Sequence, residues 1–270
     1  PESIRSIPGD KIFFVQLADA PKIDMDLLYW SRHFRNMPGE GDLDVIGFVR
    51  AVAATGYNGV LSLEIFNDQF RGGSPKSISI DGHRSLVYLM DQVNRSEPDM
   101  HISLPQMPDR IKVGGIEFVE FAADETEAAE LGTILRTLGF ERSGRHVSKD
   151  VDLWSQGSVK ILINTEREGF AHSSYVVHGA NVCDIGLRVN DAAATVQRAR
   201  ALGAEPFEQP VGPGELKIPA IRGVGGGLIH FIDSESDLAR VWEIEFEKVT
   251  DATLSLIHIS RAHETVLDLV

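Results

Sequence analysis

Two polar residues in the amino-terminal third sit among apolar neighbours. They are Gln16, at the end of the run KIFFVQL (residues 11–17), and Glu64, inside VLSLEIF (residues 60–66). Such side chains must find hydrogen-bond or charged partners once they leave water. An acceptor-only carboxylate joined by an amide carbonyl oxygen suits a hard divalent cation such as Mg, Mn or Co. The residues alone leave two other readings open: a Gln that ties down a loop, and a Glu that pairs with an Arg or Lys. Between them runs His33-Phe34-Arg35-Asn36-Met37-Pro38-Gly39-Glu40-Gly41-Asp42. Its Pro-Gly and Gly-Glu-Gly pieces dictate a tight loop with backbone free to approach a ligand. Arg35 can grip a carboxylate through two hydrogen bonds, or pair at the surface with Glu40 or Asp42.

The elements that must position these residues read as strand–helix–strand–helix. Residues 11–17 form a continuous apolar run that suits a buried strand, and residues 59–65 suit a second. Residues 43–55 have helical spacing, with Ile46, Val49, Val52 and Ala53 on one side and Gly56 as the stop. Residues 81–94 read as a second helix. Strands alternating with helices imply a parallel sheet, with Gln16 and Glu64 at strand carboxyl ends where such folds place their chemistry. Two βα units cannot close a barrel, so partner strands are expected outside this sequence.

Residues 95–110, with Pro98, Pro105 and Pro108, read as a linker. From 111 to about 249 an internal repeat follows. Strand, helix and strand opening at 115–123, 125–138 and 139–140 recur at 182–189, 191–202 and 203–204. Each unit continues with short strands, at 151–155 and 160–164 in the first and at 216–222 and 228–233 in the second. The expected fold class is therefore α/β plus α+β: the carboxyl-terminal part of a TIM barrel over 1–94, then a vicinal-oxygen-chelate module of paired βαβββ units over 111–249.

A net charge of −14 with no basic stripe excludes nucleic-acid backbone binding as the default. No apolar run approaches the roughly 18 residues of a membrane span, and residues 1–12 show no signal peptide. A single cysteine, Cys183, excludes an internal disulfide and fits a reducing cytoplasm. The expected partner is a small-molecule substrate, with neither nucleic acid nor membrane, and assembly into a homo-oligomer stays open.

The segments FFVQLAD, RHFRNMPGEGDLD and GVLSLEIFND together resemble the sugar-phosphate isomerase/epimerase barrel family. That resemblance implies that Gln16 and Glu64 are two of four ligands to one divalent metal, the other two lying upstream. The runs GGIEFVEFAADE, LWSQGSVKILINTE and HGANVCDIGLRVNDAAATVQRARALGAEPF resemble the amino-terminal half of 4-hydroxyphenylpyruvate dioxygenase, a half that is generally metal-free. Barrel followed by dioxygenase-like module resembles the bacterial 3-dehydroshikimate dehydratases. The resemblance implies a lyase that yields protocatechuate, with the metal polarising the substrate ketone, Arg35 holding the substrate carboxylate, and a general base outside these residues. It also implies that the chain is an incomplete, inactive portion. The competing readings are a sugar isomerase or epimerase on the same barrel and a dioxygenase-type oxygenase.

In the second module Asp184 stands where a metal-binding strand would carry a His. Glu120 and His230 read as ordinary strand polar residues, His178 as ordering a loop, Gly225-Gly226-Gly227 as a turn and Cys183 as core. The tail TLSLIHISRAHETVLDLV, within residues 250–270, reads as a non-native translated adapter, with an amphipathic terminal helix as the alternative. Its His258 and His263 are left out of the functional reading.

Overall fold

The computed structural model describes residues 2–97 and 107–249. It divides into two compact units, one holding the residues up to Met107 with Ala201–Gly203, the other beginning at Pro108 and resuming at Ala204. The tail at 250–270, with His258 and His263, and most of the expected linker lie outside the described residues.

The first unit contains β1 (Val15–Leu17), α1 (Leu27–His33), α2 (Val45–Ala53), β2 (Leu61–Leu63) and α3 (Pro75–Ser96). β1 and β2 pair in parallel, with Gln16 opposite Ser62. Val15 and Leu17 pack with Val49, Val52, Leu89 and Val93 of the helices, so the alternating residue, Gln16, leaves the other face, where it is exposed. The expected strand over 11–17 is shortened to three residues. Residues 9–12 bond locally or to the exit of α2, with the Gly9 amide donating to Thr55 and the Ile12 amide to Gly9. The ladder therefore starts only at Val15, and Phe13 is left 90% exposed. The expected strand over 59–65 shrinks with its partner. The expected helix over 81–94 starts earlier, at Pro75, because proline is suited to a first helical turn.

The second unit is built on β3 (Val113–Ala122), α4 (Glu125–Thr137), β4 (Glu141–His146), β5 (Val151–Gln156), β6 (Val159–Asn164), α5 (Gly169–His178), β7 (Asn181–Val189), α6 (Ala192–Ala201), β8 (Pro206–Phe207), β9 (Ala220–Arg222), β10 (Leu228–Ile232), α7 (Val241–Ile244) and β11 (Phe246–Lys248). Its sheet runs β11-β4-β5-β6-β3-β7-β10-β9-β8. The two repeats meet where their first strands, β3 and β7, pair antiparallel, and each first strand also pairs in parallel with the last strand of its own repeat. Phe118, Leu153, Leu162, Phe231, Val241 and Phe246 share the main core.

Two expectations are corrected here. His178 does not order a loop: it ends α5, a helix that sequence spacing did not show because Val176 and Val177 on it are 68% and 72% exposed. The expected strand over 216–222 is reduced to Ala220–Arg222, since Pro219 has no amide hydrogen to give to a ladder. The triglycine forms a turn as expected, Val224–Gly226 making one 3-10 turn with Gly225 at a φ of 77°.

Gly186 of β7 faces Phe118 of β3 in the ladder, and a Cβ there would meet the Phe118 ring at 2.3 Å. Gly186→Ala is expected to destabilise the protein by about 2 kcal/mol through displacement of that ring, read as a lower urea midpoint.

Candidate functional site

The carboxyl ends of β1 and β2 carry Gln16 and Glu64 on one face. Glu64 lies two residues beyond Ser62, the register partner of Gln16, and its amide donates to the Leu17 carbonyl at 3.3 Å, continuing the ladder. The loop between α1 and α2 is stitched across both strand exits. Asp19 and Asn36 exchange backbone hydrogen bonds, and the Arg35 amide donates to Phe66. Asp19 itself is 1% exposed, and its carboxylate accepts from the amides of Ala20 (2.8 Å), Gly39 (3.0 Å) and Leu43 (3.0 Å). Gly41 lets this happen, because a Cβ on it would lie 2.4 Å from Asp19 Oδ1.

This scaffold holds Arg35 against Glu64. The Arg35 Nη1 donates to Glu64 Oε2 at 2.6 Å and to its carbonyl at 3.0 Å, while Nε donates to the Ser31 carbonyl at 2.6 Å. The guanidinium also lies 4.7 Å from the Phe66 ring centroid. The partner of Arg35 is therefore Glu64, not the Glu40 or Asp42 of the surface alternative, and the Arg or Lys that Glu64 could pair with is Arg35. Nη2 has no hydrogen bond among the described residues, so one edge of the fork stays free for an anion. Sequence reasoning did not single out the pair beside this site, in which His33 Nδ1 lies 2.8 Å from Asp68 Oδ2.

Do these residues fit a metal? An amide oxygen and a carboxylate on one face are hard donors of the right type, and one Glu64 oxygen is free of Arg35. They are two donors, and among the described residues no group of three or more His, Cys, Asp or Glu could hold a metal ion.

In the second unit the polar residues of the central strands converge. Glu120 and Asp184 are direct partners across β3 and β7, and His230 of β10 places Nδ1 2.5 Å from Asp184 Oδ2. Burial, then the facing charge of Asp184, pushes the Glu120 carboxyl up to about 7, against the hydrogen bond it accepts from Asn164 at 2.7 Å. Burial opposes a charged His230, but the Asp184 carboxylate against it leaves the ring raised above the usual histidine value. Burial also raises the Cys183 thiol, with Glu120 and Asp184 adding to it, as befits an inert core cysteine.

These shifts set a sign for stability against pH. The folded state holds a proton on Glu120 that the unfolded chain, at its ordinary value of 4.5, releases earlier, so stability falls as pH rises from 4.5 toward 7. The raised His230 continues the fall above 6.5. Glu120→Gln keeps an oxygen for Asn164 and removes the first slope. It is expected to stabilise the protein by on the order of 2 kcal/mol at pH 8 and by little at pH 4.5, measured as urea midpoints.

Among the described residues no helix is long and apolar enough to cross a membrane. Residues 108–247 match the family model described as hydroxyphenylpyruvate dioxygenase, N-terminal, and residues 1–88 match that of the xylose isomerase-like TIM barrel. The chain is 41% identical over 276 residues to a 3-dehydroshikimate dehydratase of Pseudomonas aeruginosa, covering 100% of this chain and 43% of that protein. It is 43% identical over 258 residues to the enzyme of that name from Pseudomonas putida, covering 94% of this chain and 41% of that protein. A solved xylose isomerase-like TIM barrel/4-hydroxyphenylpyruvate dioxygenase fusion protein superposes with a TM-score of 0.83 at 42% identity, over 93% of this chain and 41% of that one. The chain thus spans less than half the length of the curated relatives it matches.

Proposed function

The chain belongs to the hydroxyphenylpyruvate dioxygenase N-terminal family through residues 108–247, and from its further likeness to fused dehydratases we propose that it is part of a metal-dependent lyase converting 3-dehydroshikimate to protocatechuate. The observation that carries this reading is the placement of Gln16 and Glu64 on one face at adjacent strand ends, with Arg35 seated on Glu64.

Gln16 and Glu64 would contribute oxygens to a divalent cation, Mg, Mn or Co, which when bound polarises a ketone oxygen. The free Nη2 of Arg35 receives the substrate carboxylate, which fixes the ring relative to Glu64. Asp19 holds the loop that carries Arg35, so binding does not have to order it. The reaction removes a proton beside the ketone and expels a hydroxyl as water, and the resulting diene enolises to the catechol. No residue of this chain is assigned as the general base. The same reading places the protein in the cytoplasm, acting on a small molecule, and leaves open a homo-oligomer.

The test uses the complete protein with 3-dehydroshikimate, following catechol absorbance before and after chelation. Product formation lost on chelation and restored by one of Mg, Mn or Co supports the reading. Substrate consumed without an aromatic product would move the assignment to an isomerase or epimerase, and oxygen uptake would move it to an oxygenase.

A further inference from the structure

The second unit holds a partly open cavity of ≈ 170 Å³ that the proposed dehydration does not use. Its lining combines an apolar, aromatic set, Phe118, Trp242 and Phe246, with a polar set that includes Glu120, Asp184, His230 and Lys149. The polar set is incompletely satisfied. Asp184 is 5% exposed, its Oδ2 lies against His230, and its Oδ1 is buried without a hydrogen-bond partner among the described residues. Leaving a charged acceptor unpaired away from water is costly, which marks the place where a donor from outside the chain belongs.

Size and chemistry then narrow the occupant. A closed apolar cavity of about 150 Å³ takes one benzene ring, so this one has room for a single six-membered ring. Its aromatic walls favour a flat, apolar ring face. Its polar lining presents acceptors, a carboxylate oxygen above all, and so calls for hydroxyl donors on the ring edge. We propose that this cavity is a ligand site for a monocyclic phenol or catechol, with a ring hydroxyl donating to Asp184 Oδ1. The site stands on the geometry of the second unit alone and holds whether or not the first unit carries a dehydratase.

The test is a titration of the full chain with catechol, phenol and benzene, read by Trp242 fluorescence and by calorimetry. Saturable binding is expected, with catechol at least tenfold tighter than benzene. Asp184→Asn, which keeps the volume, should weaken catechol at least tenfold and benzene little. Val241→Phe, which fills the apolar lining, should abolish both, while retained benzene binding guards against misreading an Asp184 variant that folds poorly. Glu64→Ala should leave catechol binding unchanged, which separates this cavity from the strand-end site of the first unit. Absence of saturation by catechol and phenol up to their solubility would overturn the proposal, as would equal affinity for benzene or loss of binding with Glu64→Ala.

Discussion

Glu64→Ala in the complete protein is expected to lower product formation roughly 100-fold or more, equivalent to about 2.7 kcal/mol of transition-state stabilisation. The same change should cost little stability. The Arg35–Glu64 pair is 25% and 40% exposed on its two side chains, and pairs so open to solvent contribute at most about 1 kcal/mol. Activity lost with the melting midpoint nearly unmoved would be the signature of a metal ligand. Glu64→Gln sharpens the test. Its amide oxygen can still accept from Arg35, so a residue that only anchors the guanidinium would tolerate it, whereas a charge-bearing ligand would not. Retention of activity within a few-fold in Glu64→Gln would assign Glu64 the anchoring role alone. Arg35→Lys distinguishes the substrate side: loss of the forked donor should raise KM more than it lowers kcat.

Asp19→Ala is expected to destabilise the first unit by about 4 kcal/mol, because three backbone amides lose one buried carboxylate. The Ala20 and Leu43 amides donate to Oδ1 and the Gly39 amide to Oδ2. Asp19→Asn can therefore keep two of the three bonds while turning an NH2 toward the third donor, and an intermediate loss of about 2 kcal/mol is expected. Hydrogen exchange should show the amides of residues 36–43 losing protection first, since Asp19 is what binds that loop to the end of β1. A variant melting with the parent, with unchanged exchange in the loop, would mean that the backbone pairing of Asp19 with Asn36 suffices by itself.

How much of this could be read from the chain before its fold is clearest at particular residues. Gln16 and Glu64 stood out because each interrupts an apolar run, a one-dimensional signal that needs no tertiary information. The repeat was legible for the same reason, since strand and helix periods recur along the chain, and both family likenesses rest on contiguous motifs. Strand lengths were less legible. An apolar run at 11–17 marks residues able to form a strand, but the ladder extends only as far as a partner supplies groups, and that partner lies more than forty positions away at β2.

The two-part organisation, the alternation of elements and the polar residues able to do chemistry were all legible in the chain, because periodicity, turn residues and isolated polar positions are local properties. Which of those residues meet was settled by the fold. Arg35 reached Glu64 rather than Glu40 or Asp42 because the loop between α1 and α2 is pinned by Asp19 across the strand ends. Glu120, Asp184 and His230 became a cluster because register across β3, β7 and β10 set them side by side, and register is fixed by packing between strands distant in the chain.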